Sequence, residues 1–382
     1  MAWRLVDVDE ERVRFVVAAS RGDRTMSALC AEFGISRPTG YLWLKRYQSS
    51  GVAGVQVRSR RPHVSPDRIA ATIEQRIVTL RQMHPDWGAR KLAVLLEREG
   101  CRVPATTVHR VLLRQHLVRE ENRHRPALKR FEREQPNQLW QMDFKSQKGW
   151  NRPVGPLSVI DDASRYVIAL EGIWTTCGEA VQERLQAAFI ECGMPDAMLM
   201  DHGVPWWNKS SAGGWTKFSV WLMKHGVQLL FSGIRHPQTQ GKVERFHGAL
   251  EAARRRGLPE PALHQYWLDN FRQEYNYLRP HEALAMKTPA SVWRKSEKLY
   301  EKEPAEWLYP DGSELLRLEK TGQLKLDGKR WQVSGPLAGE RVQLVRIEHR
   351  VLVFFCNTLI RELDLATQGS TMVEPWVAKP KL

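Results

Sequence analysis

The sequence predicts a multidomain chain: N-terminal all-α helix-turn-helix units, a central α/β core on a five-stranded mixed sheet, and a small C-terminal β-barrel. Three changes of pattern predict it. Apolar residues recur at helical spacing as far as about residue 118, strands alternate with helices from residue 136, and short alternating apolar runs occupy 310–366. A length of 382 residues, with 42% hydrophobic side chains and 15 Trp, is enough for several packed cores. The expected modules are 1–57, 66–118, a linker over 119–135, a core over 136–296 and the barrel over 310–366.

Residues 10–48 carry helical periodicity broken once, at Gly34. Met26 to Phe33 places Leu29 and Phe33 on one face; Gly34-Ile35-Ser36 makes the turn, and a second helix starts after Ser36 as N-cap. Tyr41, Leu42 and Leu44 are its expected packing residues, while Arg37, Lys45 and Arg46 are its expected DNA contacts. A basic, proline-bearing link, Arg58 to Pro66, leads to helices over 67–83 and 87–99 and a further helix opening after Pro104. That second set reads as a tandem helix-turn-helix or as packing against the first. Residues 119–135 are rich in charge, with no apolar stripe, and read as a linker.

In the central segment, strands are expected at Gln138 to Phe144, Pro156 to Ile160, Tyr166 to Glu171, Ala197 to Met200 and Val227 to Phe231. Helices are expected over 178–192, over 215–225 and from about 240. The barrel strands are Leu324 to Leu326, Arg330 to Val333, Arg341 to Arg346, Val351 to Phe355 and Leu359 to Leu363, with a frayed tail from 367.

The net charge of +15 is uneven: up to residue 135 there are 26 Lys and Arg against 15 Asp and Glu, and the rest of the chain carries only +4. A basic excess on one segment is the footprint of a polyanion. Stretches of apolar residues are too short for a membrane span, and the charged start MAWRLVDVDEERVR is unlike a signal peptide, so a cytoplasmic protein is expected. Five scattered Cys without a Cys-x-x-Cys pair indicate neither a disulfide framework nor a zinc finger, even with His109, His116 and His124 following Cys101.

Three carboxylates stand out by position. Asp143 interrupts an apolar strand, Asp201 ends another, and Glu244 lies one turn into the helix that starts near 240. Phosphodiester chemistry needs carboxylates from separate elements to hold two hard cations. Arg235, His236, Lys242 and Arg245 flank Glu244 as expected phosphate contacts. Asp161 and Asp162 sit in a tight turn, where turn capping is the expected role.

Four ordered motifs carry a resemblance: Trp140-Gln-Met-Asp-Phe144, Asp201-His-Gly-Val-Pro205, His236-Pro-Gln-Thr-Gln-Gly-Lys-Val-Glu-Arg-Phe-His247, and Tyr275-Asn-Tyr-Leu-Arg-Pro-His-Glu-Ala-Leu284 with Thr288-Pro289. Over residues 136–292 the chain resembles bacterial insertion-sequence transposases with a retroviral-integrase-type core. The resemblance implies an RNase H-like fold, a DDE triad at Asp143, Asp201 and Glu244, and cleavage and strand transfer of DNA at the ends of a mobile element. It further implies Mg²⁺ as two ions, with Mn²⁺ as a substitute. The partners would be double-stranded DNA, as terminal inverted repeats and target, and further copies of the chain on DNA at the bacterial nucleoid. His202 stands where the family commonly has Asn. The 42-residue gap between Asp201 and Glu244 is longer than the resemblance implies, and the surplus in Trp206 to Trp215 reads as a surface loop. Arg279 and His281 are expected to brace the core against the metal site. A domesticated DNA-binding repressor and an RNA–DNA hybrid nuclease are the alternatives; the intact triad argues against the first and the helix-turn-helix region against the second.

Overall fold

The structure, a computed structural model, describes residues 8–56, 69–118, 132–208, 213–232 and 241–373. The basic link at 58–66 and most of 119–135 lie outside the described residues. The chain divides into two compact units, one up to Ala70 and one from Ala71 to Leu382.

The first unit contains α1 (Val8–Arg21), α2 (Met26–Glu32) and α3 (Arg37–Ser50), closed by a 3₁₀ turn at Gly51–Val55. Besides Gly34, the periodicity breaks at Gly22, whose φ of +71° turns the chain between α1 and α2. Thr25 and Ser36 cap α2 and α3 by accepting from the Ala28 and Thr39 amides. Phe15, Val16, Leu29, Cys30 and Val55 form the core, joined by Phe33, Trp43 and Tyr47. A Cβ on Gly40 would stand 2.6 Å from the Cys30 sulfur, so this glycine lets α3 lie close against α2. The packing face of α3 is therefore Gly40, Trp43 and Tyr47. Tyr41 and Leu42, expected inside, are 58% and 46% exposed.

The second unit opens with α4 (Ala71–Met83), α5 (Ala89–Arg98) and α6 (Ala105–Arg114), packed through Ile77, Leu80, Leu92, Leu96, Val108 and Val111. This bundle docks on the core of its own unit. Arg98 donates to the Leu278 carbonyl at 2.9 Å, and His84 Nδ1 lies 3.1 Å from Glu274 Oε1.

In the core follow β1 (Trp140–Phe144), β2 (Leu157–Asp161), β3 (Val167–Glu171), α7 (Gly178–Cys192), β4 (Ala197–Met200), α8 (Lys217–Lys224), β5 (Gln228–Phe231), α9 (Gly241–Arg254), α10 (His264–Gln273) and the short α11 (Pro289–Val292). The sheet runs β3-β2-β1-β4-β5, antiparallel across β3-β2-β1 and parallel across β1-β4-β5. It is the five-stranded mixed sheet the sequence predicts. Each face is apolar and covered. Trp140, Met142, Val159 and Met198 pack toward Phe189 of α7 and Leu222 of α8 on one side, and Ile160, Val167 and Leu170 meet Val243, Phe246 and Leu250 of α9 on the other.

The C-terminal module contains β6 (Glu314–Arg317), β7 (Gln323–Leu326), β8 (Lys329–Gln332), β9 (Arg341–Ile347), β10 (Arg350–Phe355), β11 (Thr358–Asp364) and β12 (Gly369–Met372). The expected barrel is not formed. Five strands make an open antiparallel sheet, β12-β11-β10-β9-β6, and β7-β8 is a separate hairpin. Closure would require β12 to pair with β6, and these are opposite edges. The apolar face needs no closure, because Leu324, Trp331, Val342, Leu344, Val351 and Val353 belong to the same cluster as Phe189, Trp215 and Phe231 of the core. Residues 369–372, expected as part of a frayed tail, pair with β11.

Candidate active site

The sheet order sets Asp143 and Asp201 side by side. Trp140 pairs with Met198 and Gln141 with Leu199, and Asp143 and Asp201 stand at the same offset along these parallel strands. Glu244 is exposed in the first turn of α9, a helix that packs on β1 and β2. Burial, then the Asp201 and Glu244 charges, push the Asp143 carboxyl up to about 7, against a backbone hydrogen bond at Phe144 and the charge of Lys145. Both other acids thus act on Asp143 electrostatically. Among the described residues, however, no three His, Cys, Asp or Glu side chains converge closely enough to hold one ion.

The other groups around these acids hold them in place. Asp201 Oδ1 accepts from Trp206 Nε1 at 2.6 Å and from the Gly203 amide at 3.0 Å. Trp206 is 1% exposed and stacks on Phe144, ring centroids 5.6 Å apart. His247, one turn beyond Glu244, meets the hydroxyl of Ser158 at 3.0 Å through Nε2, and Ser158 is the β2 partner of Asp143. Its Nδ1 lies 3.8 Å from Asp143 Oδ2. Burial, with the charge of Lys145, presses the His247 imidazole down to about 3, so at neutral pH this approach is no ion pair.

The first turn of α9 is tied to the sheet. Gln141 accepts from the Val243 amide at 3.3 Å and donates to Asp162 Oδ1 at 2.7 Å. Lys242 reaches inward to Asp162 Oδ2 at 2.5 Å, and burial brings its ammonium down to about 8. Asp161 caps its turn as expected, accepting from Ser164 and from the Asn137 amide.

The remaining sequence candidates are dispersed. Arg245 is exposed on α9; Arg37 and Lys45 are exposed on α3, where Arg46 lies over the Trp43 ring at 5.0 Å. Arg235 and His236 lie outside the described residues. Arg279 and His281 face the α4–α6 bundle instead of the acids: the Arg279 guanidinium lies 6.0 Å from the Trp87 ring centroid. The expected surface loop is largely interior. Trp207 and Trp215 bridge as an isolated antiparallel pair and pack on Phe231, while 209–212 lie outside the described residues. Trp206, His247 and Ser158 were missed as site residues. The three-residue spacing from Glu244 was a legible signal for His247; nothing local points to Ser158.

Two integrase core domain models match residues 133–237 and 225–289. The central segment is similar to integrase core domains. A helix-turn-helix domain model matches 11–63 and a homeodomain-like domain model 39–112. The chain is 26% identical over 247 residues to an uncharacterized 31.7 kDa protein of insertion element IS407 from Burkholderia multivorans, covering 60% of this chain and 83% of that protein. It is 24% identical over 263 residues to an uncharacterized 39.2 kDa protein of insertion element IS476 from Xanthomonas euvesicatoria, covering 65% and 72%. The chain is 16% identical to the HTLV-2 integrase catalytic core domain in complex with magnesium, over 42% of this chain and 98% of that one, with a TM-score of 0.31. The domain matches and the insertion-element relatives agree with the resemblance read from the motifs, that of an insertion-sequence transposase with an integrase-type core behind helix-turn-helix domains. Among the described residues, no helix is long and apolar enough to cross a membrane.

Proposed function

We propose that this integrase-core protein is a DDE transposase that binds the terminal inverted repeats of an insertion sequence and catalyses metal-dependent strand cleavage and strand transfer. The observation that carries the reading is the level placement of Asp143 in β1 and of Asp201 just past β4, with Glu244 in the first turn of the helix packed on β1 and β2. The carboxylates of Asp143, Asp201 and Glu244 are donors of the kind a divalent cation takes, Mg²⁺ with Mn²⁺ as substitute, because its hard charge suits oxygen ligands. When bound, such ions supply the positive charge that polarises a scissile phosphate and lowers the pKa of an attacking water.

The chain's own residues prepare that site. Trp206 and Gly203 engage Oδ1 of Asp201 and leave Oδ2 for a ligand. Ser158 holds His247 beside Asp143, and Lys242 with Gln141 pins the turn that carries Glu244. Arg245, Arg235 and His236 would meet phosphates near the scissile bond, and Arg37, Lys45 and Arg46 would carry the terminal-repeat contact on α3. Lys242, engaged with Asp162, acts by bracing. Joining two element ends calls for at least two copies on DNA.

The test is cleavage of a labelled duplex carrying the repeats that flank this gene, in Mg²⁺ or Mn²⁺, by wild type and Glu244→Gln. Nicking at the repeat end by wild type, reduced at least a hundredfold in the variant, is expected from loss of a ligand. Wild type that binds the duplex and never cuts it defeats the reading in favour of a DNA-binding repressor.

A further inference from the structure

The loop between β1 and β2 leaves the sheet just past Asp143 and ends in a clamp at the β3 edge. Its neck closes where the Lys145 amide donates to the Pro156 carbonyl at 2.9 Å. Its Trp150 is buried against His264 and Trp267 of α10, ring centroids 6.4 and 6.0 Å away. Arg152 of this loop commits its guanidinium to the protein: Nε donates to His264 Nδ1 at 3.0 Å, Nη1 to the Gly172 carbonyl and Nη2 to the Pro261 carbonyl at 3.1 Å. His264 is 1% exposed, and its Nε2 donates to the Pro259 carbonyl at 3.0 Å, which leaves Nδ1 as the acceptor Arg152 needs. A Cβ at Gly172 would stand 2.8 Å from Nη1, so this glycine makes room for the cation.

The clamp supports a ring. The Arg152 guanidinium lies 4.5 Å from the centroid of Trp174, which is 57% exposed and is, among the described residues, the only exposed tryptophan. With one face on the cation, that exposure belongs to the opposite face and the rim. The register sets where this ring lies. Asp143 stands opposite Ser158, and Ser158 opposite Leu170, so the residues after Leu170 leave the sheet at the end where the acids lie. The strands β1 and β3 are two places apart, roughly 10 Å across the sheet. A DNA strand with a phosphate at the acids therefore reaches Trp174 within a few nucleotides. Glu171 closes β3, and Asp269 accepts from Gln265, the side chain that also holds the Gly172 amide. These carboxylates repel a phosphate, and each guanidinium nitrogen of Arg152 is already engaged. The free face of an indole suits instead a flat, neutral, aromatic partner.

We propose that Trp174, supported by Arg152, is a stacking platform for an unpaired base of the DNA strand bound at Asp143, Asp201 and Glu244. Stacking tolerates any base, because every base has a π-face, so the platform holds the strand near the scissile phosphate without reading its sequence. That the base belongs to DNA at the acids rests on the transposase reading; the fit of the ring to a nucleobase does not.

The experiment measures binding by the full-length protein in EDTA, across ionic strength, for wild type, Trp174→Ala and Trp174→Phe. The probes are the repeat duplex fully paired, the same duplex with its terminal bases mismatched, and a single-stranded oligonucleotide, the last two carrying 2-aminopurine at unpaired positions. Trp174→Ala is expected to weaken binding of the frayed duplex about tenfold more than that of the paired one, and to relieve the quenching of 2-aminopurine; Trp174→Phe keeps most of both. The log–log salt slope stays that of wild type, because stacking neutralises no phosphate. An equal loss on paired and frayed duplex, or quenching that persists in Trp174→Ala, overturns the platform. A shallower slope does so too, by assigning the loss to a phosphate contact. Should Trp174→Ala lower the unfolding midpoint, Trp174→Leu, apolar but without a π-system, decides by the same readouts. Wild type that binds the paired duplex and gains nothing from fraying defeats the platform and leaves the transposase reading standing. Wild type that binds neither duplex defeats the transposase reading; quenching of the single strand then still supports the platform, and its absence overturns it.

Discussion

Asp143 keeps its proton at pH values where an ordinary aspartate is charged, because its burial and the two neighbouring carboxylates outweigh the charge of Lys145. A folded-state value of about 7 against an ordinary 3.8 means that the folded protein binds this proton more tightly than the unfolded chain does. This contribution to stability is fully present below pH 4 and is lost as pH rises through 7. In EDTA, Asp143→Asn is therefore expected to be more stable than wild type above pH 7, by roughly 2–4 kcal/mol at 1.36 kcal/mol per pKa unit. Chemical denaturation at pH 4 and pH 8 reads it directly. A difference that stays constant between the two pH values would remove the acid cluster as its source. Divalent metal should reverse the sign for wild type alone, because it binds the charged carboxylate.

At the scale of elements, the decisive piece is the latch between α9 and the β2–β3 turn. Lys242 stands next but one to Glu244 and was expected on DNA, yet its ammonium pairs with an Asp162 that has no exposed surface. Lys242→Gln leaves that acid with the Gln141 amide and the Arg133 N–H as donors, and no cation. A loss of about 3–5 kcal/mol in denaturant is expected from breaking a buried pair. The salt slope of DNA binding should not change, and a slope shallower by about 0.9 would instead place the ammonium on phosphate. The contrast shows what one sequence carries. β4 and α7 were legible to the residue because Ala197–Met200 is an apolar run ended by Asp201, and Gly178–Cys192 repeats with a helical period. The strand β6, three of whose four residues are exposed, offers no alternation to read, and Gly369–Met372 offers none either. The positions of Asp143, Asp201 and Glu244 stand out locally, whereas the Lys242–Asp162 pair joins residues whose approach depends on the fold. The open sheet was misread as a barrel because alternation fixes which face is apolar, and not what covers it.

For the whole molecule, the division at Ala70 and the fusion of everything after it have different consequences. A protein comprising residues 71–382 is expected to unfold in one cooperative transition and to retain metal-dependent nicking of DNA. Its affinity for the terminal repeat should fall at least tenfold, with a shallower salt slope, because α3 is gone. Calorimetry and binding isotherms check both; loss of folding on removal of the first 70 residues would contradict the division. The open C-terminal sheet shares one apolar cluster with α7, β4 and β5, and Lys224 of α8 pairs with Glu340 at 2.6 Å. That continuity makes the two ends of the chain unequal as evolutionary material. The first 70 residues form a cassette that recombination can exchange for another, whereas the C-terminal sheet must be inherited together with the α/β core, residue by residue, as a co-adapted surface.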